Sequence, residues 1–107
     1  MSQNHFLSYS NGRAVRVIAG YDRPLDELFL HVFDAKNHDG ESVLFASLYE
    51  PYTDWRNPRT LVNKLEELNL AVPRTLLPAI VKDQRRRARN KIVQHYFGRA
   101  PRTTWVR

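Results

Sequence analysis

The dipeptide Asn11-Gly12, set between two runs of aromatic and β-branched residues, constrains this chain more than any other local feature. Both residues tolerate positive φ, as a two-residue type I′ turn requires. The runs HFLSYS (5–10) and AVRVIA (14–19) are therefore predicted to pair as an antiparallel hairpin. A second break follows at Gly20-Tyr21-Asp22-Arg23-Pro24, where Pro24 pushes Arg23 into an extended conformation. The next strand, Glu27 to Ala35, places Phe29, His31 and Phe33 on one face and Leu28, Leu30 and Val32 on the other. A polar turn over 36–41 then leads to a fourth strand over 42–49. Short links join all four strands, which predicts an antiparallel meander within 5–49. Both faces of the third and fourth strands are apolar, so helices, the chain ends or another subunit must cover the second face.

The second half reads as helical. Asn57 suits an N-cap and Pro58 the first helical position, predicting a helix over 58–69 with Leu61, Val62, Leu65 and Leu68 inward. A longer helix is predicted over 74–97, closed by Gly98, with Leu77, Val81, Gln84, Ala88, Ile92 and His95 along one side. Residues 98–107 read as a basic tail, with Trp105 placed to dock on the core. The expected fold class is α+β: a four-stranded antiparallel meander followed by two C-terminal helices packed on one face. With 107 residues the chain has room for a single domain, 1–107, and its 42% hydrophobic content is that of a globular rather than a disordered chain.

Several chemistries are excluded by composition. With no cysteine there is no disulfide, thiolate metal site or cysteine nucleophile. With four glycines the chain has no phosphate-cradling loop motif, no dinucleotide fingerprint and no nucleophile elbow. Glu66 and Glu67 are adjacent on a helix and point about 100° apart, so they are not a catalytic pair. His5, His31, His38 and His95 lack metal-ligand spacing, and no metal or cofactor is expected. His31 reads as a packed or interface residue and His95 as a hydrogen-bonded core residue. No apolar run approaches the roughly 20 residues that cross a bilayer, and the N-terminus lacks the pattern of a signal peptide. The expected setting is a soluble cytoplasmic protein, and enzymatic function is the weaker expectation.

Charge is distributed unevenly. Residues 1–50 carry four Lys or Arg against seven Asp or Glu, and residues 51–107 carry thirteen against four. The net charge of +6 therefore comes from the second half. Such a field favours an anionic partner or head-to-tail self-association. The basic cluster is Lys82, Arg85, Arg86, Arg87, Arg89 and Lys91, and on a continuous helix Lys82, Arg85, Arg86 and Arg89 fall at spacings 0, 3, 4 and 7 and share one flank. That flank is a candidate surface for nucleic acid or another polyanion, because phosphate binding releases counterions and arginine holds phosphate with two hydrogen bonds. The competing reading is a solvated helix face. Tyr21, Asp22 and Arg23 form a turn in which a carboxylate beside an arginine can orient a ligand or simply stabilise the turn. The leading expectation is a non-enzymatic interaction or regulatory module. It works through Phe29, His31, Phe33, Tyr52 and Trp55 on a protein partner or a second copy of the chain, and nucleic-acid binding is the alternative.

The segments AGYDRPL (19–25), LNLAVPRTLLPAIVKDQ (68–84) and NKIVQHY (90–96) together resemble a family of short uncharacterised bacterial proteins. In that family a hairpin leads into a Gly-aromatic-Asp-Arg-Pro-Leu turn, followed by a leucine-rich helix and a second helix ending in an Asn-Lys-like step. The family carries no established activity, so the resemblance implies only this order of elements and a bacterial cytoplasmic setting. The arginine run at 85–89 and the basic tail depart from the family pattern.

Overall fold

The computed structural model describes residues 1–36 and 42–105. Its first two strands, β1 (Ser2–Ser10) and β2 (Arg13–Asp22), form the expected hairpin, closed by a pair between Ser10 and Arg13. Asn11 (φ 51°) and Gly12 (φ 81°) both take positive φ, as the turn demands. The two strands alternate, apart from Gly20, which is buried on the other face. Ser2, Asn4, Phe6 and Ser8 of β1 and Val15, Val17, Ala19 and Tyr21 of β2 are buried on one face. Gly20 is needed for close approach, because a Cβ there would lie 2.0 Å from the Ser2 carbonyl oxygen and 3.0 Å from the Phe29 ring.

The third strand, β3 (Glu27–Asp34), pairs antiparallel with β2, and the short β4 (Val43–Ala46) pairs with β3. The fourth strand is shorter than expected, because residues Ser47–Tyr49 turn into a single 3-10 turn. Most of the expected polar turn, 37–41, lies outside the described residues. Trp55 then seats its indole in the core and donates from Nε1 to the Glu50 carbonyl at 3.1 Å. The helix α1 (Pro58–Glu67) begins where predicted, with the Asn57 side chain accepting from the Arg59 amide at 2.9 Å. Leu61 and Leu65 are buried, while Leu68 packs at the rim. Lys64 is also buried. It donates to Glu50 at 2.6 Å and Glu67 at 2.9 Å, and these carboxylates hold its ammonium above the usual lysine range.

The expectation for residues 74–97 is overturned. The helix α2 runs only from Leu76–Arg86, and its inward side chains are Leu76, Ile80 and Asp83, one position before the predicted stripe. Arg87 takes a left-handed conformation (φ 51°), and the Ala88 amide reaches back to the Asp83 carbonyl at 2.9 Å, a Schellman-type stop. Beyond this stop the chain is extended: β5 (Lys91–Tyr96) and β6 (Arg99–Trp105) form a second hairpin. Gly98 (φ 82°) serves its turn and does not close a helix. Once the helix has ended, Ile92-Val93 favours the strand, since β-branched neighbours stiffen the chain toward an extended form. Val93 and His95 then alternate inward with Ile92 and Gln94 outward.

The molecule is thus an α+β fold with two helices and a six-stranded mixed sheet, not a four-stranded meander. The strand order is β4-β3-β2-β1-β5-β6, with β5 parallel to β1 and all other pairs antiparallel. Both helices lie on the face carrying Phe6, Val15, Val17, Tyr21, Leu28 and Leu30, α1 over β3 and α2 over β1 and β2. Each large apolar side chain buried there contributes roughly 1.5–3 kcal/mol. Among the described residues no helix is long and apolar enough to cross a membrane.

Candidate functional site

The early stop of α2 reshapes the basic cluster. Had the helix continued, its cations would have lain along one flank. The left-handed turn at Arg87 instead bends the chain back toward the sheet, with Arg89 in the short link and Lys91 opening β5. A cleft of about 400 Å³ results at the end of α2. Six basic side chains line it: Arg23, Lys82, Arg86, Arg87, Arg89 and Lys91. Trp105, at the end of β6 and 65% exposed, forms part of the wall. The last turn of α2 adds nothing to the positive field, because its carbonyl end is the negative pole of the helix dipole. Arg85 and Arg86 offset that pole.

Two networks hold the walls of the cleft in place. Tyr21, at the end of β2, donates its buried hydroxyl to Asp26 at 2.6 Å, and the same Asp26 oxygen lies 3.5 Å from the Arg87 guanidinium. That hydrogen bond, with burial, raises the Tyr21 hydroxyl above the usual phenol range. Asp83 is buried beneath the cleft and pairs with Lys91 at 2.5 Å, while the Lys91 ammonium sits 5.2 Å from the centre of the Trp105 ring. Register explains the meeting. Tyr21 lies opposite Ser2, Ser2 opposite Lys91, and Lys91 opposite Trp105, one row across four strands. Arg87 and Lys91 are thus engaged by carboxylates. Arg23, Lys82, Arg86 and Arg89 have no carboxylate within ion-pair distance among the described residues.

The structure brings Lys82, Arg86 and Arg89 together, but Arg89 arrives from the segment after α2, and Arg85 lies outside the cleft lining. Within the Tyr21-Asp22-Arg23 turn, Arg23 lines the basic cleft. Asp22 faces the other side of the sheet, opposite Glu27. His95 is a buried strand residue rather than a helical one. Thr75 Oγ1 lies 2.7 Å from its Nδ1 and Asn4 Oδ1 lies 2.8 Å from its Nε2, and burial lowers its pKa below the ordinary 6.5. Both ring nitrogens of this neutral imidazole are occupied, which suits a brace between β1, β5 and the start of α2. His95 lines neither the cleft that holds Arg23 nor the one that Asp22 borders. Among the described residues, no three His, Asp or Glu side chains gather where they could hold a metal ion.

The other predicted surface is split. Phe29, His31 and Phe33 lie side by side on the sheet face away from the helices, with successive ring centroids 5.5 and 6.2 Å apart. Arg16 of β2 stacks over Phe33 at 5.0 Å. Trp55 belongs to the core on the opposite side, although it borders a cleft that also touches Phe29 and His31. Tyr52 projects fully into solvent from the loop between β4 and α1. Arg87 and Lys91 belong to the predicted basic cluster but not to its helical flank, and the cleft residues that sequence reasoning misses are Trp105 and the anchoring Asp26. Only the alternation from Lys91 to Tyr96 could expose them, by turning the end of the supposed helix into a strand. No protein-family model, curated protein or solved structure matches this chain.

Proposed function

We propose that the protein binds single-stranded nucleic acid in the cleft at the end of α2. One observation carries the reading: six basic side chains from three separate segments converge on one concave site whose wall is an exposed tryptophan. A solvated helix face has no reason to draw Arg23 and Arg89 in from other segments. Guanidinium groups supply paired donors to phosphate oxygens, and four of the six cations are free of carboxylates among the described residues. Trp105 supplies a flat, sequence-tolerant surface on which a base can stack, a contact open to single strands and closed to paired bases. The site has no groove-reading helix and no repeated aromatic strand motif, which fits binding with little sequence preference.

The test is a titration of the purified protein with labelled single-stranded and duplex oligonucleotides across salt concentrations. The expected result is preference for single strands and an affinity that falls steeply with salt. Arg86→Ala and Arg89→Ala each lower the log–log salt slope by about 0.7, the value for one lost single-strand phosphate contact. Trp105→Ala costs about 1–3 kcal/mol on single strands. Arg85→Ala, outside the cleft, leaves binding unchanged. Equal binding to a sulfated polysaccharide, together with no effect of Trp105→Ala, overturns the reading.

A further inference from the structure

We infer that the sheet face opposite the helices pairs two copies of this chain, antiparallel and face to face, with Arg16 of each copy on Asp22 of the other. Both described helices cover one face of the sheet, and the other is left with a mixed apolar and polar surface. Its charges are segregated along the strands. Asp22 and Glu27 lie directly opposite each other at one end, and neither has a basic partner among the described ion pairs. Like charges in directly opposed strand positions disfavour the monomer unless something cationic meets them. Arg16 occupies the other end of the same strand, three outward-facing positions away on β2, counting Asp22, Gly20, Ile18 and Arg16.

This arrangement is self-complementary. A two-fold axis crossing the strands between Gly20 and Ile18 superposes each acidic end on the other copy's Arg16. The same operation lays the row of Phe29, itself only 8% exposed, over the row of His31 of the other copy, because these residues pair with Gly20 and Ile18 respectively. Their rings already form an aromatic row within one copy. Next to them, Gln3 meets His5 of the second copy, since β1 continues the same two rows. On β1, β2 and β3 no like charges are brought together. An isologous contact needs this kind of self-matching patch. The width of six strands and the length from Asp22 to Arg16 give a face of roughly 20 by 24 Å. The total buried surface is then about 1,000 Å², the size at which specific but weak interfaces begin. Sheets packed this way cross at about 30°. The pairing leaves the basic clefts on the outer sides of both copies.

Sedimentation equilibrium of the full chain, from low to several hundred micromolar, is the first measurement, and a concentration-dependent monomer–dimer equilibrium is expected. R16D and D22R each set like charges against one another twice per dimer and weaken association about tenfold or more. Mixing the two variants restores it, because every contact in the mixed dimer again joins opposite charges. Circular dichroism and thermal melts of each variant check that it folds, and a salt titration of the unaltered chain tests the ion pairs without any substitution. A chain that stays monomeric throughout overturns the inference. So does a dimer insensitive to salt and to both substitutions, or a mixture that fails to recover. Amide shifts at Phe29 and His31 on adding an oligonucleotide to a monomeric protein also overturn it, and assign the face to nucleic acid.

Discussion

The two hairpins of this sheet are built by the same rule but are not equally visible in the sequence. Each has a tight turn with a positive-φ glycine, Gly12 in one and Gly98 in the other. The β1–β2 hairpin sits in the middle of the sheet, and one face of each strand is sealed by the helices. Its inward positions must therefore be apolar or small, and the pattern stands out in the sequence. The β5–β6 hairpin closes the edge. Only Val93 and His95 of β5 are buried, and every residue of β6 is exposed. An exposed edge strand is selected against aggregation and not for core packing. Pro101, Arg99 and Arg102 break or charge that edge as such strands require. The composition that protects it reads as a basic tail.

The largest expected difference between the hairpins is in core energetics. Phe6→Ala, at a position 1% exposed, is expected to cost about 3–5 kcal/mol in chemical denaturation. Trp105→Ala removes a larger ring, but one that is 65% exposed, and should cost under about 1 kcal/mol. Equal costs would make the second hairpin a core element and break the comparison. Next in size is the buried pair of Asp83 and Lys91, which ties β5 to α2. Asp83→Ala leaves a largely buried ammonium without its counter-ion and is expected to cost about 3 kcal/mol. Hydrogen exchange should show the loss first in β5 and β6, with β2 and β3 retaining protection.

Acid should act on the same junction. Burial lowers the pKa of His95 in the folded chain below its ordinary 6.5, and His5 and His31 shift in the same direction. The unfolded chain therefore takes up protons first. Stability is full above about pH 6.5 and is lost as the pH falls through that value toward the folded pKa. His95→Gln should flatten part of this slope in denaturation curves between pH 7 and pH 5. An unchanged slope would assign the acid sensitivity to the two histidines on the open face.

How far the fold can be read from sequence tracks burial closely. The Asn11-Gly12 turn, the β3 faces and the Asn57-Pro58 start of α1 are legible because each depends on a local rule. The end of α2 is not. Arginine and alanine from 85 to 89 are good helix formers, and nothing in that run announces a stop. Tertiary packing decides it: Leu76, Ile80 and Asp83 complete the buried stripe, and continuing would carry Ile92 and Val93 away from β1. The same misreading hides the cleft. Lys82, Arg86 and Arg89 stand out as a group, but as one helix flank and with Arg85 included. Trp105 can enter, and Lys91 can meet Asp83, only once β5 and β6 are strands.

The smallest expected effect separates local cost from global cooperativity. Gly12 and Gly98 have nearly the same φ, 81° and 82°, and an added Cβ at either meets nothing within 4 Å. Gly→Ala therefore carries the same purely conformational cost at both, about 1 kcal/mol. The readouts should differ. At Gly12 the turn closes two central strands that unfold with the whole molecule, so the full cost appears in the denaturation midpoint. At Gly98 the turn closes an edge hairpin that can open alone. Much of the cost then appears as faster amide exchange in β6, with a smaller shift of the midpoint. Equal midpoint shifts would show that the edge hairpin folds as part of the core unit, and that its exposure misstates how firmly it is held.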